Sequence, residues 1–496
     1  MPGDPLRTGR LGDARPPQVM EFLSSMEADR WIADADILVD IAHLLMLSER
    51  DIIDPGAARV IMAVLLELLD EGLPEDVFDD RYEDIHAGIE AHLIARVGQE
   101  CGGRIHMGRS RNDEVATCIR MRLREELIRQ LGALVRLRTL LITLADRHKE
   151  SIMPGFTHFQ HAQPTTLAHY FLAYEQAFGR DFDRIRECVA RVDQCPLGAA
   201  AFASTGYPIG REETAASLGF AKIAENTMDA VSARDFALEA MSACTLAMTT
   251  VSRMCEELVL WSSSFVDFVH LADPYCSTSS IMPQKKNPDT AEIMRGKAGT
   301  VNGSLVSALT IMKGLPMSYN RDMQELTPHL WRSVGETGRA LLLLKDMLET
   351  AEFNTERMAQ GAGKGFSTAT ELADVMVREF GLPFRTAHGI VGRAVRKGTL
   401  DLESLEEAAR EMAGLSLTER GLTDARIAAA LDPGYGVSVR RAPGGPAPEA
   451  TATAIESRRK QCSDDEEWIS MVRIRIDTAQ AAMIAQARRL VASPGH

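Results

Sequence analysis

Few residues in this sequence favour extended strands or tight hairpin turns. Aromatic residues make up only 5% of the 496 residues, and Asn-Gly and Asp-Gly turn pairs are rare. Valine and isoleucine stand mostly at intervals of three and four residues, which is the spacing of one face of a helix. These features argue against a β-sandwich or β-barrel and predict an all-α protein.

Three further absences limit the classes of function. The eight cysteines form no Cys-x-x-Cys pair, so we expect reduced thiols in the cytoplasm and neither disulfides nor a zinc site. No apolar run approaches the roughly 18 residues of a membrane span, and no apolar segment follows a basic N-terminus as in a secretory leader. The formal net charge of -15 disfavours a nucleic-acid-binding protein. The composition therefore predicts a cytoplasmic protein that binds neither membranes nor nucleic acids.

Long helices are the main structural prediction. Apolar residues repeat at helical spacings over residues 115–149, 166–191, 232–271 and 289–312. Such helices are roughly two to three times the usual length, and apolar stripes on more than one face need neighbouring chains to cover them. We therefore expect an extended bundle of long helices in an oligomer.

The composition changes near two positions and suggests three domains. A polar stretch precedes the first long helix, and the helical patterns become shorter beyond about residue 361, where Leu-Pro and Asp-Pro-Gly breaks occur. The predicted division is an N-terminal helical domain of residues 1–110, a central long-helix bundle of residues 111–360 and a small C-terminal helical domain of residues 361–496.

Residues 277–289, Ser-Thr-Ser-Ser-Ile-Met-Pro-Gln-Lys-Lys-Asn-Pro-Asp, form the most informative stretch. Small hydroxyl residues and two prolines cannot continue the flanking helices, so we expect a polar loop, here called the signature loop. Its hydroxyl, ammonium and carboxamide groups suit an anion. Asn287, Pro288 and Asp289 are predicted as the N-cap, first-turn proline and first-turn acid of the next helix. A solvated loop without a ligand is the alternative for any of these residues taken alone.

Two polar clusters precede other predicted helices. Residues 106–113 include Arg111 and Asn112, and a guanidinium group suits a carboxylate, although a hub of salt bridges between domains is the alternative. His158 and His161 could bind a metal, but no carboxylate stands at the H-E-x-x-H spacing and no third ligand is nearby. No metal is therefore expected.

Five clusters, taken together and in this order, resemble the argininosuccinate lyase branch of the fumarase/aspartase superfamily, whose members reversibly release fumarate from succinyl compounds. The similar stretches are residues 108–113, 157–160, 234–235, the signature loop and residues 315–320. The resemblance extends from about residue 20 to residue 450. It implies a mainly α-helical subunit of three domains, a homotetramer whose active sites are each shared by three chains, a small N-succinyl amine as substrate, and catalysis without a cofactor.

The resemblance also implies roles for residues of the signature loop. Ser279 would be the base that removes a proton from the carbon next to a carboxylate, and Ser280 is the alternative serine. Lys285 and Asn287 would stabilise the dianion that forms, because a developing negative charge needs preorganised donors.

Residues outside the signature loop complete the implied site. His158 and Glu292 resemble the His–carboxylate pair that is often given the role of general acid. The residues implied to contact the substrate are Ser25, Asp29, Arg111, Asn112, Thr157, Arg234, Ser280, Asn287, Tyr319, Arg321 and Gln324.

Several positions differ from the argininosuccinate lyase pattern, namely Glu114, Thr278, Arg321 and Thr327. Thr327 replaces a lysine on the side of the leaving amine, and Arg321 replaces another. An amine that itself carries a succinyl group, as in the substrate of ethylenediamine-N,N′-disuccinate (EDDS) lyases of this branch, would present an anion to Arg321. We therefore expect an aminopolycarboxylate substrate. Argininosuccinate, another N-succinyl amine, and a catalytically silent crystallin-like homologue are the alternatives.

Overall fold

The structure is all-α, as predicted. The computed structural model describes residues 15–493, so the ends of the predicted first and last domains, residues 1–14 and 494–496, lie outside the described residues. No helix within residues 15–493 is long and apolar enough to cross a membrane. The helices that precede the central bundle are α1 (Pro17–Leu23), α2 (Met26–Asp29), α3 (Ala33–Glu49), α4 (Pro55–Glu71), α5 (Ile85–Val97) and α6 (Gln99–Gly102).

Five long helices form the central bundle. The helices of this part of the chain are α7 (Arg111–Arg147), α8 (Leu167–Val192), α9 (Arg211–Ser217), α10 (Thr227–Ser232), α11 (Asp235–Ser262), α12 (Asp289–Met312) and α13 (Met323–Glu349). The long ones are α7, α8, α11, α12 and α13, and each packs on at least two of the others. The predicted bundle of long helices is therefore confirmed, and the bounds of α12 are those predicted from the sequence.

Two predictions about the long helices were wrong. Helix α11 ends at Ser262 rather than at residue 271, because Ser263 is extended, Asp267 has a left-handed φ of 59°, and residues 269–270 form a strand. Helix α13 is absent from the predicted set, and it contains Pro328 in its second turn. The helix nevertheless continues through this proline because its apolar face is buried in the bundle.

Short helices follow the bundle, and one long helix returns to it. These helices are α14 (Thr355–Ala362), α15 (Ala369–Phe380), α16 (Phe384–Lys397), α17 (Leu402–Ala413), α18 (Asp424–Ala430), α19 (Pro433–Ser438) and α20 (Pro448–Ala492). Apolar residues between 372 and 431 form a core of their own. Helix α20, in contrast, packs on α3, α4 and α7 and contributes to the main core. The domain boundaries at residues 110 and 360 stay a prediction. Because of its packing, α20 belongs with the bundle although it lies beyond residue 360.

Strands are short and occur in pairs. The antiparallel pairs are β1 (Ile152–Thr157) with β2 (Gln160–Thr166), β5 (Val269–His270) with β8 (Glu352–Phe353), and β6 (Ser277–Thr278) with β7 (Lys286–Asn287); the parallel pair is β3 (Gln194–Cys195) with β4 (Lys222–Ile223). The β1–β2 hairpin is the longest, and it precedes α8 directly.

A buried ion pair network ties α20 to the bundle. Arg138 on α7 is fully buried, and its guanidinium donates to Glu175 on α8 at 2.9 Å and to Asp465 on α20 at 2.6 Å. Removing one member of a buried network leaves an uncompensated charge, which costs far more than the loss of an exposed pair. Arg138 therefore holds three helices together.

We predict that Arg138→Met lowers the free energy of unfolding by about 3–5 kcal/mol, because Glu175 and Asp465 then stay buried with only the more distant Arg458 at 3.9 Å and Arg186 at 3.7 Å. The matched control is Arg459→Met, which removes an exposed pair with Asp146 at 2.8 Å and should cost under about 1 kcal/mol. Urea unfolding at one fixed protein concentration measures both. Equal losses for the two variants would contradict the prediction.

Candidate active site

A cavity of about 250 Å³ lies where helix α7 begins. Its walls come from the α1–α2 region, the start of α5, the start of α7, the residue before α11 and the start of α13. Eight of the fifteen predicted site residues line it, and these are Ser25, Asp29, Arg111, Asn112, Arg234, Tyr319, Arg321 and Gln324. The fold therefore brings together residues that are as much as 299 positions apart in the sequence (324 minus 25).

The N-terminus of α7 is fixed by a reciprocal cap. Ser110 Oγ accepts the N–H of Asn112 at 3.3 Å, and Asp113 Oδ1 accepts the N–H of Ser110 at 2.9 Å. The second oxygen of Asp113 accepts the N–H groups of Gly198 at 2.9 Å and Ala200 at 2.7 Å. Asp113 is fully buried, so this one carboxylate holds both the first turn of α7 and the loop beside it.

Arg111 and Asn112 are oriented by contacts outside α7. Arg111 Nη1 donates to Asp84 Oδ2 at 3.1 Å, and Asn112 Nδ2 donates to the carbonyl of Ala201 at 3.0 Å. Asp84 is also the N-cap of α5, since its Oδ1 accepts the N–H of Ala87 at 2.8 Å. The start of α5 thereby sets the direction of the guanidinium at the start of α7.

A network of buried charges lies beneath these residues. Arg109 is within 2.5 Å of Asp40 and 2.9 Å of Glu114, and His86 Nδ1 is 2.8 Å from Asp36 Oδ2. Burial opposes the charged imidazole, but the neighbouring Asp36 and Glu114 raise the pKa of His86 to about 10. His86, which lines the cavity, is therefore cationic at neutral pH.

The segment before α3 brings a second carboxylate to the cavity. Ser25 Oγ donates to Asp29 Oδ2 at 2.6 Å, and the Ser25 N–H donates to the carbonyl of Glu83 at 3.0 Å. Burial raises the pKa of Asp29 to about 6. At pH 7 this carboxylate is still mainly ionised, so it can pair with a cation in the cavity.

Arg234 supplies a buried cation. Its side chain is buried at the start of α11, and Nη1 donates to the carbonyl of Ala233 at 2.8 Å. Burial lowers the pKa of Arg234 to about 10, and among the described residues its Nε has no hydrogen-bond partner. A buried guanidinium with spare donors suits an anionic ligand.

The signature loop places Ser279 where negative charge on its oxygen is favoured. Ser279 Oγ accepts the N–H groups of Ile281 at 3.3 Å and Met282 at 3.1 Å. Two N–H donors stabilise an alkoxide more than a hydroxyl. Ser280 and Lys285 are exposed in the same loop, and Lys286 pairs with Asp273 at 2.6 Å. The local geometry therefore favours a negatively charged oxygen at Ser279.

The prediction that Asn287 caps α12 was wrong. Asn287 belongs to strand β7, the N-cap position is Pro288, and no side chain caps the helix. A residue before proline is pushed towards extended backbone, which suits a strand and not the start of a helix. The Asn287 Nδ2 instead lies 3.5 Å from Ser277 Oγ across the two-stranded base of the loop.

The β1–β2 hairpin carries Thr157 and His158 at its exposed tip. His158 and Phe159 form its two-residue turn with φ values of 55° and 56°. Residues without glycine's freedom are strained there, and such strain occurs most often at functional sites. Phe159 is 82% exposed, so the tip carries a large apolar side chain outward.

The remaining predicted site residues do not line the cavity of the same chain. They are Thr157, His158, Ser279, Ser280, Lys285, Asn287 and Glu292. The sequence prediction missed three ionisable residues that do line it, namely Glu83, Asp84 and His86. Their signal was the Glu-Asp-Ile-His run directly before a helical pattern, in which the Asp is a natural N-cap.

Two family models match the chain. The model described as "Lyase" matches residues 9–303, and the model described as "Argininosuccinate lyase C-terminal" matches residues 366–438. The chain is 61% identical over 492 residues to an argininosuccinate lyase of Methanoculleus marisnigri, covering 99% of this chain and 100% of the relative. It is 54% identical over 490 residues to an argininosuccinate lyase of Methanospirillum hungatei, with 99% of each covered.

Solved structures show the same architecture. EDDS lyase in complex with formate superposes with a TM-score of 0.85 and 30% identity, covering 97% of this chain and 96% of that one. A class II fumarase from Schistosoma mansoni superposes with a TM-score of 0.67 at 17% identity, covering 81% of this chain and 90% of that one. The second likeness concerns the fold alone.

These relatives overturn the expectation of an aminopolycarboxylate substrate. Full-length relatives that share 50–61% of their residues with this chain are named argininosuccinate lyase, whereas EDDS lyase shares 30%. The structure supplies the physical reason. Arg321, which was expected to meet a second succinyl group, forms an ion pair with Glu83.

Proposed function

The chain belongs to the argininosuccinate lyase branch of the fumarase/aspartase superfamily and is a carbon–nitrogen lyase, and from that premise we propose that it cleaves argininosuccinate reversibly into arginine and fumarate. The observation that carries the proposal is its identity, over nearly its full length, with relatives named for this activity. The charges of the cavity support it, as described next.

The cavity offers groups of both signs, which suits a zwitterionic substrate. Arg111, Asn112 and Arg234 can donate to the carboxylates of the succinyl part. Asp29 and Asp84 can accept from the cationic groups of an arginine part. Asp84 is already paired with Arg111, but a substrate with carboxylates alone would bring no cation to the buried Asp29, and unpaired buried charge is costly.

The reaction is an elimination across the succinyl Cα–Cβ bond. A base takes a proton from the carbon next to a carboxylate, the electron pair forms the double bond of fumarate, and the C–N bond to the guanidinium breaks. Because the proton is very weakly acidic, most of the catalysis must stabilise the dianion that forms. We assign the base to Ser279 and the stabilising contacts to Lys285 and Asn287.

His158 and Glu292 are proposed as the pair that returns a proton to the departing nitrogen, and Thr157 as a further carboxylate contact. His158 stands at the strained tip of the hairpin, and Glu292 lies exposed in the first turn of α12. Both are therefore accessible to another chain.

A homotetramer would cover the exposed face of α12. Residues 298–312 of this helix contain no charged side chain. The exposed positions include Ile293, Gly296, Gly299, Gly303, Val306 and Leu309. A Cβ added at any of the three glycines would meet nothing within 4 Å, yet glycine within a helix costs about 0.5–1 kcal/mol relative to alanine. An uncharged face with open glycines suits close packing of helices from other subunits.

If each active site is shared by three chains, the predicted residues that line the cavity can meet those on the signature loop, the hairpin and α12. One subunit would provide the cavity at the start of α7, and others would provide the signature loop and the hairpin tip. Exposed apolar residues in both elements support this, since Ile281 of the loop is 84% exposed and Phe159 of the hairpin is 82% exposed.

All eight cysteines are free thiols, which supports a place in the cytoplasm.

The substrate proposal is tested by comparing kcat/KM for argininosuccinate and for EDDS, following the ultraviolet absorbance of fumarate. We expect argininosuccinate to be preferred by at least about two orders of magnitude, because EDDS has no guanidinium group for Asp29 to bind and brings a second pair of carboxylates to this acid. The Ser279→Ala protein is the blank for uncatalysed release. A preference for EDDS, or no fumarate from either compound, would refute the proposal.

Ser279→Ala should reduce kcat by about 100- to 10,000-fold, since it removes the proposed base. Its melting temperature should stay close to that of the wild type because the loop lies outside the packed core. Ser280→Ala is the matched control: as an implied substrate contact Ser280 should affect KM, and its removal should leave kcat within about tenfold of the wild type. The reverse order of the two variants would transfer the role of base to Ser280.

Mixing two inactive proteins tests the shared site. When Arg111→Ala and Ser279→Ala chains are expressed together, random tetramers should regain about a quarter of the wild-type activity, because one site in four then receives both native residues from different chains. Each variant expressed alone serves as the control. No recovery in mixed tetramers of confirmed composition would place both residues of a site on one chain.

A further inference from the structure

Arg321 reaches back to the N-terminal segment of the same chain. It forms an ion pair with Glu83, and its Nη2 donates to the carbonyl of Leu23 at 2.7 Å. Gln324, one turn further on, donates to the same carbonyl at 3.0 Å. Arg321, just before α13, and Gln324, in its first turn, thus hold the end of α1.

Glu83 is the centre of these contacts. Its carboxylate also pairs with Arg15, and its backbone carbonyl accepts the N–H of Ser25 at 3.0 Å. Although partial burial opposes the charged form, Arg15 and Arg321 lower the pKa of Glu83. Glu83 is therefore an anion between two guanidinium groups and is bonded to the segment that leads to α2.

The N-terminal segment has little other support. Helix α1 has no buried residue, and Phe22 is 85% exposed. Met26 and Asp29 are the first buried side chains of the segment. The positions of Leu23 and Ser25 therefore depend on polar contacts, whereas apolar packing begins at Met26, which is buried in the main core.

We propose that Glu83 and Arg321 are positioning residues that hold residues 23–29 against the cavity, so that Ser25 and Asp29 meet the amine part of the substrate. Arg321 then acts through Glu83 and the Leu23 carbonyl instead of contacting the substrate. In this inference the identity of the substrate rests on the proposed function. The contacts by which Glu83 and Arg321 hold residues 23–29 do not depend on it.

The consequence for catalysis is a selective effect on binding. Ser25 and Asp29 lie in the cavity, whereas the proposed base and its partners lie on the signature loop. Loosening the segment removes contacts that are made equally in the ground state and the transition state, and this raises KM with little change in kcat. A residue that took part in proton transfer would lower kcat instead.

The first test is limited proteolysis without substrate. Chymotrypsin cleaves after aromatic residues, and mass spectrometry follows the fragment that ends at Phe22. Glu83→Gln and Arg321→Gln should each accelerate this cleavage at least about tenfold, because each breaks a charge-assisted contact. Arg321→Lys keeps the charge and should stay near the wild-type rate. Arg81→Gln, which removes an exposed arginine that pairs with Asp79, is the control and should change nothing.

The second test is steady-state kinetics with argininosuccinate. Glu83→Gln and Arg321→Gln should each raise KM about tenfold with kcat within about twofold, and the double variant should be no worse than either one, because both break the same contact. Arg321→Lys should restore KM. Circular dichroism confirms that each variant is folded, and either single variant alone can decide the matter.

Three results would overturn the inference. These are unchanged cleavage after Phe22 in both glutamine variants, a loss of kcat without a rise in KM, and an Arg321→Lys protein as impaired as Arg321→Gln. If the wild type cleaves no argininosuccinate, the proposed function fails, yet the proteolysis still decides whether Glu83 and Arg321 hold the segment.

Discussion

Arg109 lies buried between Asp40 of α3 and Glu114 of α7, and the geometry of the cavity depends on this contact. Buried charges are tolerated only when each has a partner of opposite sign, so the three residues cannot move apart without a large cost. His86 of α5 joins the network through Asp36. Helices α3, α5 and α7 are therefore held in fixed relative positions where α7 begins. The side chains of the first turn of α7 project into the cavity.

The same principle explains residues that differ from the family pattern. Glu114 is one of these residues, and it lies beside Arg109 and His86. Arg321 is paired with Glu83, and Thr327 is largely buried at the edge of the cavity. The charges of Glu114 and Arg321 are thus compensated within the chain. The charge of Arg321 therefore carries little information about the leaving amine, and this is one reason why the substrate inferred from Arg321 and Thr327 was wrong.

The distribution of the predicted residues follows from the length of the helices. The α7 end of the bundle carries the cavity, whereas the signature loop precedes α12 and the hairpin precedes α8. Helices of 24 to 37 residues place such elements far apart within one subunit. The residues at the two ends of the bundle therefore do not line one cavity of the same chain, and this is the geometry that the proposed sharing of sites between subunits would resolve.

The sequence by itself determined the all-α fold, the long helices and the motifs of the family. Helical periodicity is a local property, and motifs such as the signature loop have a fixed spacing along the chain. Only the tertiary structure decided that Glu83, Asp84 and His86 line the cavity, that Arg321 pairs with Glu83, and that α20 returns to the bundle. Those facts depend on contacts between residues far apart in the sequence, and the charge of a side chain does not reveal which partner will neutralise it.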